Sequence, residues 1–345
     1  MRNLITDVPG VLVGSAEDGR VASGATVVLF ETPAVGAIAT PGGAPALRDG
    51  ALLAPEMAVE TVDAFVLSGG SAFGLDASGG AMAYLASVGR GLDFQGHKVP
   101  IAPGAALFDL THGGDKAWGR RSPYGDLGYA AAACAAESFA LGATGAGYGG
   151  WTYDLKGGLG SASAVSASGF RVGALAAVNA AGRVTRGSSP HFWAASYERG
   201  AEFGGLGEGK LAADAFTLAL TSDRAANTTL AVIATDASFT KAQMTRIAIM
   251  ASGGFALAIR PAFGPGDGDV VFAASTGRAA AAPTPRDLID IGALAAECVA
   301  RAIARAVYEA SSLAVCPERP SWREVYGGRG KQGRPAKLPN LPASP

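Results

Sequence analysis

Seven short runs of the sequence have the composition of β-strands, and several of them are almost entirely apolar. A strand with one wet face alternates apolar and polar residues, whereas an all-apolar strand must be covered on both faces. This feature constrains the fold most, because it predicts strands enclosed between other layers. The predicted strands are Thr26–Phe30, Ala64–Leu67, Val99–Pro103, Val172–Val178, Phe216–Thr221, Thr229–Thr235 and Val270–Ala274.

Four segments between these runs have helical patterns. The last is preceded by prolines and is long enough for about seven turns. Helices and strands do not alternate strictly, so we expect an α/β (α+β) fold with helices layered on sheets, and one domain over residues 1–318. Residues 319–345 are rich in Gly, Pro and basic residues and are expected to be a disordered tail. The predicted helices are Ala72–Val88, Asp126–Leu141, Thr240–Ile259 and Arg286–Ala310.

Composition excludes several classes of function. The net charge of −1 gives no basic field for nucleic acid. No apolar run reaches the ~18 residues of a membrane helix, and the N-terminus lacks a signal-peptide core, so we expect a soluble cytoplasmic protein with no membrane partner. The three cysteines are widely spaced and form no CxxC pair. We therefore expect no metal and no cofactor.

Two familiar kinds of motif carry little weight. Gly145–Gly150 matches GxGxxG by letter, but a dinucleotide site needs a helix after the glycines, and Trp151 with another glycine pair follows instead. The three histidines, His97, His112 and His191, lie in loop-like segments. Each could serve in a Ser-His-Asp triad, which geometry rather than chain order defines, so this alternative stays open.

Gly69, Gly70 and Ser71 stand where a predicted strand turns into a predicted helix. Ser71 is suited to capping the helix. Backbone N–H groups at such a turn can also face a developing oxyanion. The two roles are compatible, and the sequence predicts either or both.

A short polar segment ending at Asn227 separates the predicted strand Phe216–Thr221 from another that begins with Thr228 and Thr229. Taken alone, this pattern predicts a hairpin whose second strand opens with β-branched residues.

Several segments along the chain resemble the P1 family of peptidases, which includes L-aminopeptidase/D-esterases, β-peptidyl aminopeptidases and 6-aminohexanoate (nylon) oligomer hydrolases. The resemblance runs from about residue 6 to about residue 312. It implies the DmpA/ornithine-acetyltransferase-like αββα sandwich. The segments are Gly42–Pro45, Leu67–Asp76, Val99–Gly104 with Phe108–Leu110, Gly145–Gly147, Lys156–Ser163, Val178–Asn179, Asn227–Thr229 and Asp267–Asp269.

The resemblance implies that Thr228 is a nucleophile released by autocatalytic cleavage of the Asn227–Thr228 bond. This would give an α chain of residues 1–227 and a β chain of residues 228–345. A threonine hydroxyl needs a nearby base. A freed α-amino group titrates near ~7.7–8.0, so nucleophile and base could share one residue.

The same resemblance implies roles for other residues. Asp267 and Asp269 would hold the amine and hydroxyl of Thr228, although their pattern alone also suits a solvated turn. Asn179 would donate its amide to the oxyanion. Lys156 follows a shortened segment in which the family's usual lysine is missing, and it could substitute for that lysine. Phe108 stands where some members have a tyrosine, so part of the oxyanion hole would differ or come from backbone N–H groups near Gly69–Ser71.

The function predicted from this reading is hydrolysis of small peptides or amides with a free amino end, by a homo-oligomer, often a tetramer of processed αβ units. Two alternatives remain. An acyl-enzyme on Thr228 could pass its acyl group to an amine, as in ornithine acetyltransferases, or the fold could be kept in a binding protein that never cleaves itself.

Overall fold

The computed structural model describes residues 1–218, 220, 227–315 and 317–327. Its helices are α1 (Asp76–Ser87), α2 (Tyr124–Ala133), α3 (Lys241–Ala258), α4 (Pro285–Glu309) and α5 (Trp322–Tyr326). Its strands are β1 (Val11–Asp18), β2 (Ser23–Ala39), β3 (Ala46–Arg48), β4 (Thr61–Ser68), β5 (Leu92–Phe94), β6 (His97–Val99), β7 (Gly104–Ala106), β8 (Leu159–Val165), β9 (Arg171–Asn179), β10 (Thr228–Thr235) and β11 (Val270–Ser275).

Within the described residues, nine strands form one mixed sheet in the order β3-β7-β4-β2-β11-β10-β9-β8, with β1 paired to β2. The remaining two, β5 and β6, form a separate hairpin. Strand β2 is 17 residues long and belongs to both halves of the sheet. Its first part pairs with β4 and its last part with β11, and the register with β4 shifts between Leu29 and Ala34.

Three apolar cores show how this sheet is layered. One core lies between helices α3 and α4 and strands β8–β11, and includes Phe255 and Val299. A second contains side chains of both sheet halves and none of the five α-helices, with Phe65 of β4 stacked on Phe272 of β11 at 4.7 Å between ring centroids. A third joins α1 and α2 to β2 and β4. The expected αββα arrangement is confirmed, with β2 as the strand shared by both sheet layers.

Helices α3 and α4 confirm the predictions for Thr240–Ile259 and Arg286–Ala310. Thr240 caps α3 and accepts a hydrogen bond from the Gln243 N–H. Thr284 caps α4 in the same way, and Pro285 occupies its first turn, where a missing N–H costs nothing. Both starts were readable from sequence because the capping side chains lie within three residues of the helix.

The other two predicted helices are shorter than expected. In place of a helix over Ala72–Val88, a 3-10 turn covers Ser71–Leu75 and α1 begins at Asp76. In place of Asp126–Leu141, α2 ends at Ala133, because Ala136 exchanges two backbone hydrogen bonds with Val13 of β1. Strand pairing across the chain here overrides the helix propensity of an Ala-rich segment.

Two predicted strands are wrong. Over Val99–Pro103, β6 ends at Val99. The carbonyls of Ile101 and Pro103 accept backbone N–H groups of β4, but the Ile101 N–H donates to the Asp63 side chain and the two prolines have no N–H, so no regular strand pairing forms. Phe216–Leu218, the described part of the run Phe216–Thr221 apart from Leu220, forms a turn. The hairpin with β10 cannot form because β9 and β11 already occupy both edges of β10.

The beginning of the expected disordered tail is part of the folded body. Helix α5 is capped by Ser321, and the Trp322 indole N–H donates to the Pro190 carbonyl at 3.1 Å. Trp322, Val325 and Tyr326 pack into the core beneath α4. The aromatic residues bury apolar surface, so this part of the segment folds despite the high Gly and Pro content of the tail.

Residues 328–345 lie outside the described part of the chain. Among the described residues, no helix is both long and apolar enough to span a membrane.

Candidate active site

Thr228 is the first residue of β10 and lies buried where three adjacent strands end or begin. It is directly opposite Asn179 in the antiparallel β9–β10 pair. On its other side β10 runs parallel to β11 in the register Leu230 to Val270, which sets Gly268 beside Thr228. A Cβ atom built on Gly268 would lie 2.5 Å from the Thr228 hydroxyl oxygen. The sheet therefore brings together the predicted nucleophile, Asn179 and the Asp-Gly-Asp segment.

The predicted cleavage site is buried and held on one side. Asn227 and Thr228 are each 5% exposed. The backbone N–H of Gly268 donates to the Asn227 carbonyl at 2.8 Å. Within the described residues, the Asn227 side-chain nitrogen has no hydrogen-bond partner. The carbonyl that would be attacked is thus buried and held by the N–H of Gly268.

Asp267 and Asp269 lie in the loop before β11. Asp269 accepts hydrogen bonds from the N–H groups of Thr229 at 2.7 Å and Phe263 at 3.2 Å. Burial, with a smaller contribution from Asp267, raises the pKa of Asp269 to about 7. Burial also raises the pKa of Asp267, whose carboxylate accepts the Gly264 N–H at 2.7 Å. The pair is an acidic, desolvated patch rather than a solvated turn.

This acidic patch has no cationic side chain as partner among the described residues, since none of the ion pairs there includes Asp267 or Asp269. A buried carboxylate is stable when it is paired or protonated. A cation produced beside the pair would therefore be bound strongly.

Asn179 ends β9 and is completely buried. Its side-chain oxygen accepts the Trp151 N–H at 3.0 Å, and its side-chain nitrogen donates to the Phe108 carbonyl at 2.8 Å. These two bonds fix which way the amide faces. Because the amide nitrogen carries two hydrogens, it can bind Phe108 and still offer one to an oxyanion.

The Gly69–Ser71 turn differs from its prediction. All three backbone N–H groups already donate to protein acceptors: Gly69 to Gly24 O, Gly70 to the Asp109 carboxylate, and Ser71 to Leu107 O. Ser71 is also not a helix cap, since Gly70 takes the cap position and no side chain bonds there. The turn therefore cannot supply backbone N–H donors to an oxyanion in this arrangement. Only a role as pocket wall remains to be proposed for it.

The segment Leu107–Asp109 connects this turn to Asn179. Leu107 donates its N–H to the Ser68 carbonyl and accepts the Ser71 N–H, and the carbonyl of Phe108 accepts a hydrogen bond from the Asn179 amide. The carboxylate of Asp109, fully buried, accepts the Gly70 N–H at 2.7 Å and the Ser23 hydroxyl at 2.6 Å. Asp109 was not predicted as a site residue, because nothing in the local sequence shows that it binds chain segments far away in sequence.

Lys156 has a structural role instead of the predicted catalytic one. It is completely buried, and its ammonium group donates to the carbonyls of Gly147 at 3.3 Å, Gly150 at 2.7 Å and Gly157 at 3.0 Å. An ammonium has three hydrogens, so these carbonyls use them. Lys156 thus fastens the loop whose Trp151 N–H orients Asn179, and it is not set up for proton transfer.

Within the described residues, the Nδ1 contacts of His112 and His191 differ from those of a triad histidine. His112 and His191 each contact a backbone carbonyl through Nδ1, at Gly149 and Gly207, where a triad histidine would donate to a carboxylate. His97 is exposed in the β5–β6 hairpin. Burial lowers the pKa of His112 to about 3, and its ring stacks on Trp151 at 3.9 Å. His112 is therefore a neutral ring stacked on Trp151, whose N–H orients Asn179; the sequence predicted a possible triad role for His112 but not this packing.

Known proteins are similar to this chain over most of its length. The sequence matches the family model of peptidase family S58 over residues 3–319. An uncharacterized aminopeptidase of Mycobacterium tuberculosis (strain ATCC 25618 / H37Rv) is 41% identical over 354 residues, covering 94% of this chain and 98% of the relative. An uncharacterized aminopeptidase of Mycobacterium leprae (strain TN) is 36% identical over 341 residues, covering 91% and 92%.

Two solved structures share the fold. A Burkholderia sp. beta-aminopeptidase superposes with a TM-score of 0.66 at 22% identity, covering 94% of this chain and 91% of its own. The L-aminopeptidase D-Ala-esterase/amidase of Ochrobactrum anthropi, described as a variant of the Ntn hydrolase fold, gives 0.65 at 20% identity, covering 90% and 87%.

The chain therefore has the layered fold of these two neighbours, a variant of the Ntn hydrolase fold. More narrowly, the chain belongs to peptidase family S58 and is a hydrolase, which confirms the resemblance found in the sequence.

Proposed function

We propose that this protein is a self-processing N-terminal-threonine hydrolase that acts on small peptides or amides through an acyl-enzyme on Thr228. The observation that carries the proposal is the convergence of Thr228, Asn179 and the acidic pair at adjoining strand ends. The buried, hydrogen-bonded Asn227–Thr228 peptide is the bond that would be cut.

Cleavage would change the electrostatics of the site in a favourable direction. It releases an α-amino group on Thr228 beside Asp267 and Asp269, which lack a cationic side chain among the described residues. The ammonium form would pair with the carboxylates, and the neutral form would accept the proton of the Thr228 hydroxyl. Near neutral pH both forms are accessible, since an α-amine titrates at ~7.7–8.0.

Turnover would follow the usual course of acyl transfer. The Thr228 oxygen attacks the substrate carbonyl, and the free hydrogen of the Asn179 amide stabilises the resulting oxyanion. The amine product leaves with the proton collected by the Thr228 amine, and water then hydrolyses the ester. The rigid anchoring of Asn179 by Trp151 and Phe108 supports this role, because a preorganised donor does not reorganise during the reaction.

A peptide or amide with a free amino end is the substrate class that we favour, because the relatives and structural neighbours are named as aminopeptidases. The resemblance also suggests a homotetramer of processed units. Light scattering of the purified protein tests that assembly directly, and a monomeric mass would contradict it.

The self-processing step is tested with Thr228→Ala and the matched control Thr229→Val, a change at the neighbouring buried threonine. Wild type and the control should yield a second chain whose first residue is Thr228 by Edman analysis, whereas Thr228→Ala should stay intact, folded and inactive. Cleavage of Thr228→Ala at the wild-type rate would refute the nucleophile. An uncleaved wild type would favour a binding protein that kept the fold.

Activity is tested with amino-acid aryl amides, with and without ornithine as acyl acceptor. We expect the free amino acid as product in both cases. Predominant acetyl transfer to ornithine from an acetylated donor would instead identify an acyltransferase.

A further inference from the structure

The backbone N–H of Gly268 lies against the one carbonyl that self-cleavage would attack. It donates to the Asn227 oxygen at 2.8 Å, and a Cβ atom built on Gly268 would lie 2.5 Å from the Thr228 hydroxyl oxygen. Both the carbon and the oxygen of the reacting carbonyl thus have a defined neighbour. The carbon is bonded to the nitrogen of the residue that carries the hydroxyl, and the oxygen accepts a hydrogen bond from Gly268.

We propose that Gly268 is a catalytic residue of the self-cleavage step, with its backbone N–H as the oxyanion donor for the Asn227 carbonyl. This inference rests on the proposed function. It assigns self-cleavage a donor different from the Asn179 amide, which would serve the later turnover of substrate. A backbone donor of this kind needs no reorganisation when charge develops on the oxygen.

The step balances without a cofactor. The Thr228 oxygen bonds to the Asn227 carbonyl carbon, the bond from that carbon to the Thr228 nitrogen breaks, and the hydroxyl proton ends on that nitrogen. Water then adds to the ester, giving the Asn227 carboxylate and Thr228 with a free amine and hydroxyl. The negative charge of the intermediate forms on the Asn227 oxygen, where Gly268 donates.

The residue type at position 268 is explained by the same geometry. A Cβ there would lie 2.5 Å from the Thr228 hydroxyl oxygen and 3.0 Å from the Ala44 carbonyl. Only glycine lets the backbone N–H and the hydroxyl approach the same carbonyl. The asparagine amide at position 179 lies across the opposite edge of β10, so it approaches Thr228 from the β9 side.

A purely structural reading of this hydrogen bond is that it adds one rung to the parallel β10–β11 ladder. The two readings differ in what removal of the N–H does. The structural reading predicts a loss of stability alone. The catalytic reading predicts slower cleavage at unchanged fold, by about 10²-fold for the loss of one oxyanion donor.

The experiment replaces single backbone amides by esters, using α-hydroxy acids at a suppressed stop codon in cell-free translation. Gly268→glycolic acid removes the N–H that binds Asn227. The matched control is Gly42→glycolic acid, which removes an N–H that donates to the Asp269 carbonyl at 3.2 Å in the same pair of loops. Pulse–chase then follows conversion of the full-length chain into the two fragments.

We expect the Gly268 ester to process about 100-fold more slowly than wild type and the Gly42 ester to process within about threefold of wild type. Equal rates for the two esters would overturn the role of Gly268 while leaving self-processing intact. A wild-type chain that never cleaves would instead overturn the proposed function and this inference together.

A second measurement does not depend on folding of the ester protein. The crystal structure of the uncleaved Thr228→Ala precursor should retain the Gly268 nitrogen within hydrogen-bond distance of the Asn227 oxygen. A separation beyond about 3.5 Å, outside hydrogen-bond range, would overturn the inference.

Discussion

The backbone N–H of Trp151 donates to the side-chain oxygen of Asn179 at 3.0 Å, and this bond settles the orientation of a buried amide. Without it, either the oxygen or the nitrogen could face the nucleophile. With it, and with the bond to Phe108, a hydrogen of the nitrogen is left for the oxyanion. In the proposed mechanism, the loop carrying Trp151 therefore positions Asn179 through a backbone N–H.

Asn179→Ala should lower kcat on aryl amides by about 10² to 10³, the usual effect of losing one oxyanion donor. The KM should change much less, because the donor acts mainly on charge that develops in the transition state. Steady-state kinetics on processed protein provide the measurement. A kcat within a few-fold of wild type would remove Asn179 from the mechanism.

Lys156→Met should act on stability rather than on chemistry. The change removes the ammonium donor from three buried carbonyls. Those of Gly147 and Gly150 still accept the backbone N–H groups of Gly150 and Gly157, so the cost falls mainly on the Gly157 carbonyl and is about 1–3 kcal/mol. Urea unfolding measures the loss. A variant with unchanged stability and abolished turnover would restore the catalytic role that the sequence suggested for this lysine.

Asp109→Ala should displace the turn at Gly70, because a buried backbone N–H loses its acceptor at 2.7 Å. We expect a loss of about 1–3 kcal/mol in the free energy of unfolding, together with reduced turnover. Asp109→Asn keeps an oxygen that can accept the Gly70 N–H, so it should recover most of the stability. Equal stability of the two variants would contradict the anchoring role.

Asp269 should make the uncleaved precursor less stable as the pH rises from about 4 to about 7. Its pKa is about 7 when folded, raised by burial from 3.8. In this window the folded chain holds a proton that the unfolded chain has lost, so the free energy of unfolding falls with pH. The fall is up to roughly 4 kcal/mol, at 1.36 kcal/mol per pH unit.

The measurement is urea unfolding of the Thr228→Ala precursor between pH 4 and 8, with and without Asp269→Asn. The added substitution should flatten the decline. Asp126→Asn, at a side chain that is 79% exposed, serves as the control and should leave the profile as it was. A decline that persists in the Asp269→Asn protein would assign the effect to another group.

Much of the fold could be read locally. Thr240 and Thr284 mark the starts of helices α3 and α4, and the apolar runs within β2, β4, β9, β10 and β11 predict enclosed strands.

The wrong predictions of helices and strands share a cause. The helix predicted beyond Ala133 does not continue because Ala136 pairs with Val13. The strand predicted at Phe216 cannot pair with β10 because β9 and β11 are already paired to both of its edges. In both places, distant partners decided between conformations that local propensity allowed.

The sequence by itself determined the family, the position of Thr228 and the acidic pair, because those depend on residue types in a fixed order along the chain. Only the tertiary structure decided what each side chain binds: Lys156 fastens a loop, the Gly69–Ser71 turn has its N–H groups occupied, and Gly268 contacts the Asn227 carbonyl. The reason is physical. A hydrogen bond joins atoms that the fold brings to about 3 Å, and for residues far apart in sequence their spacing along the chain carries no information about that distance.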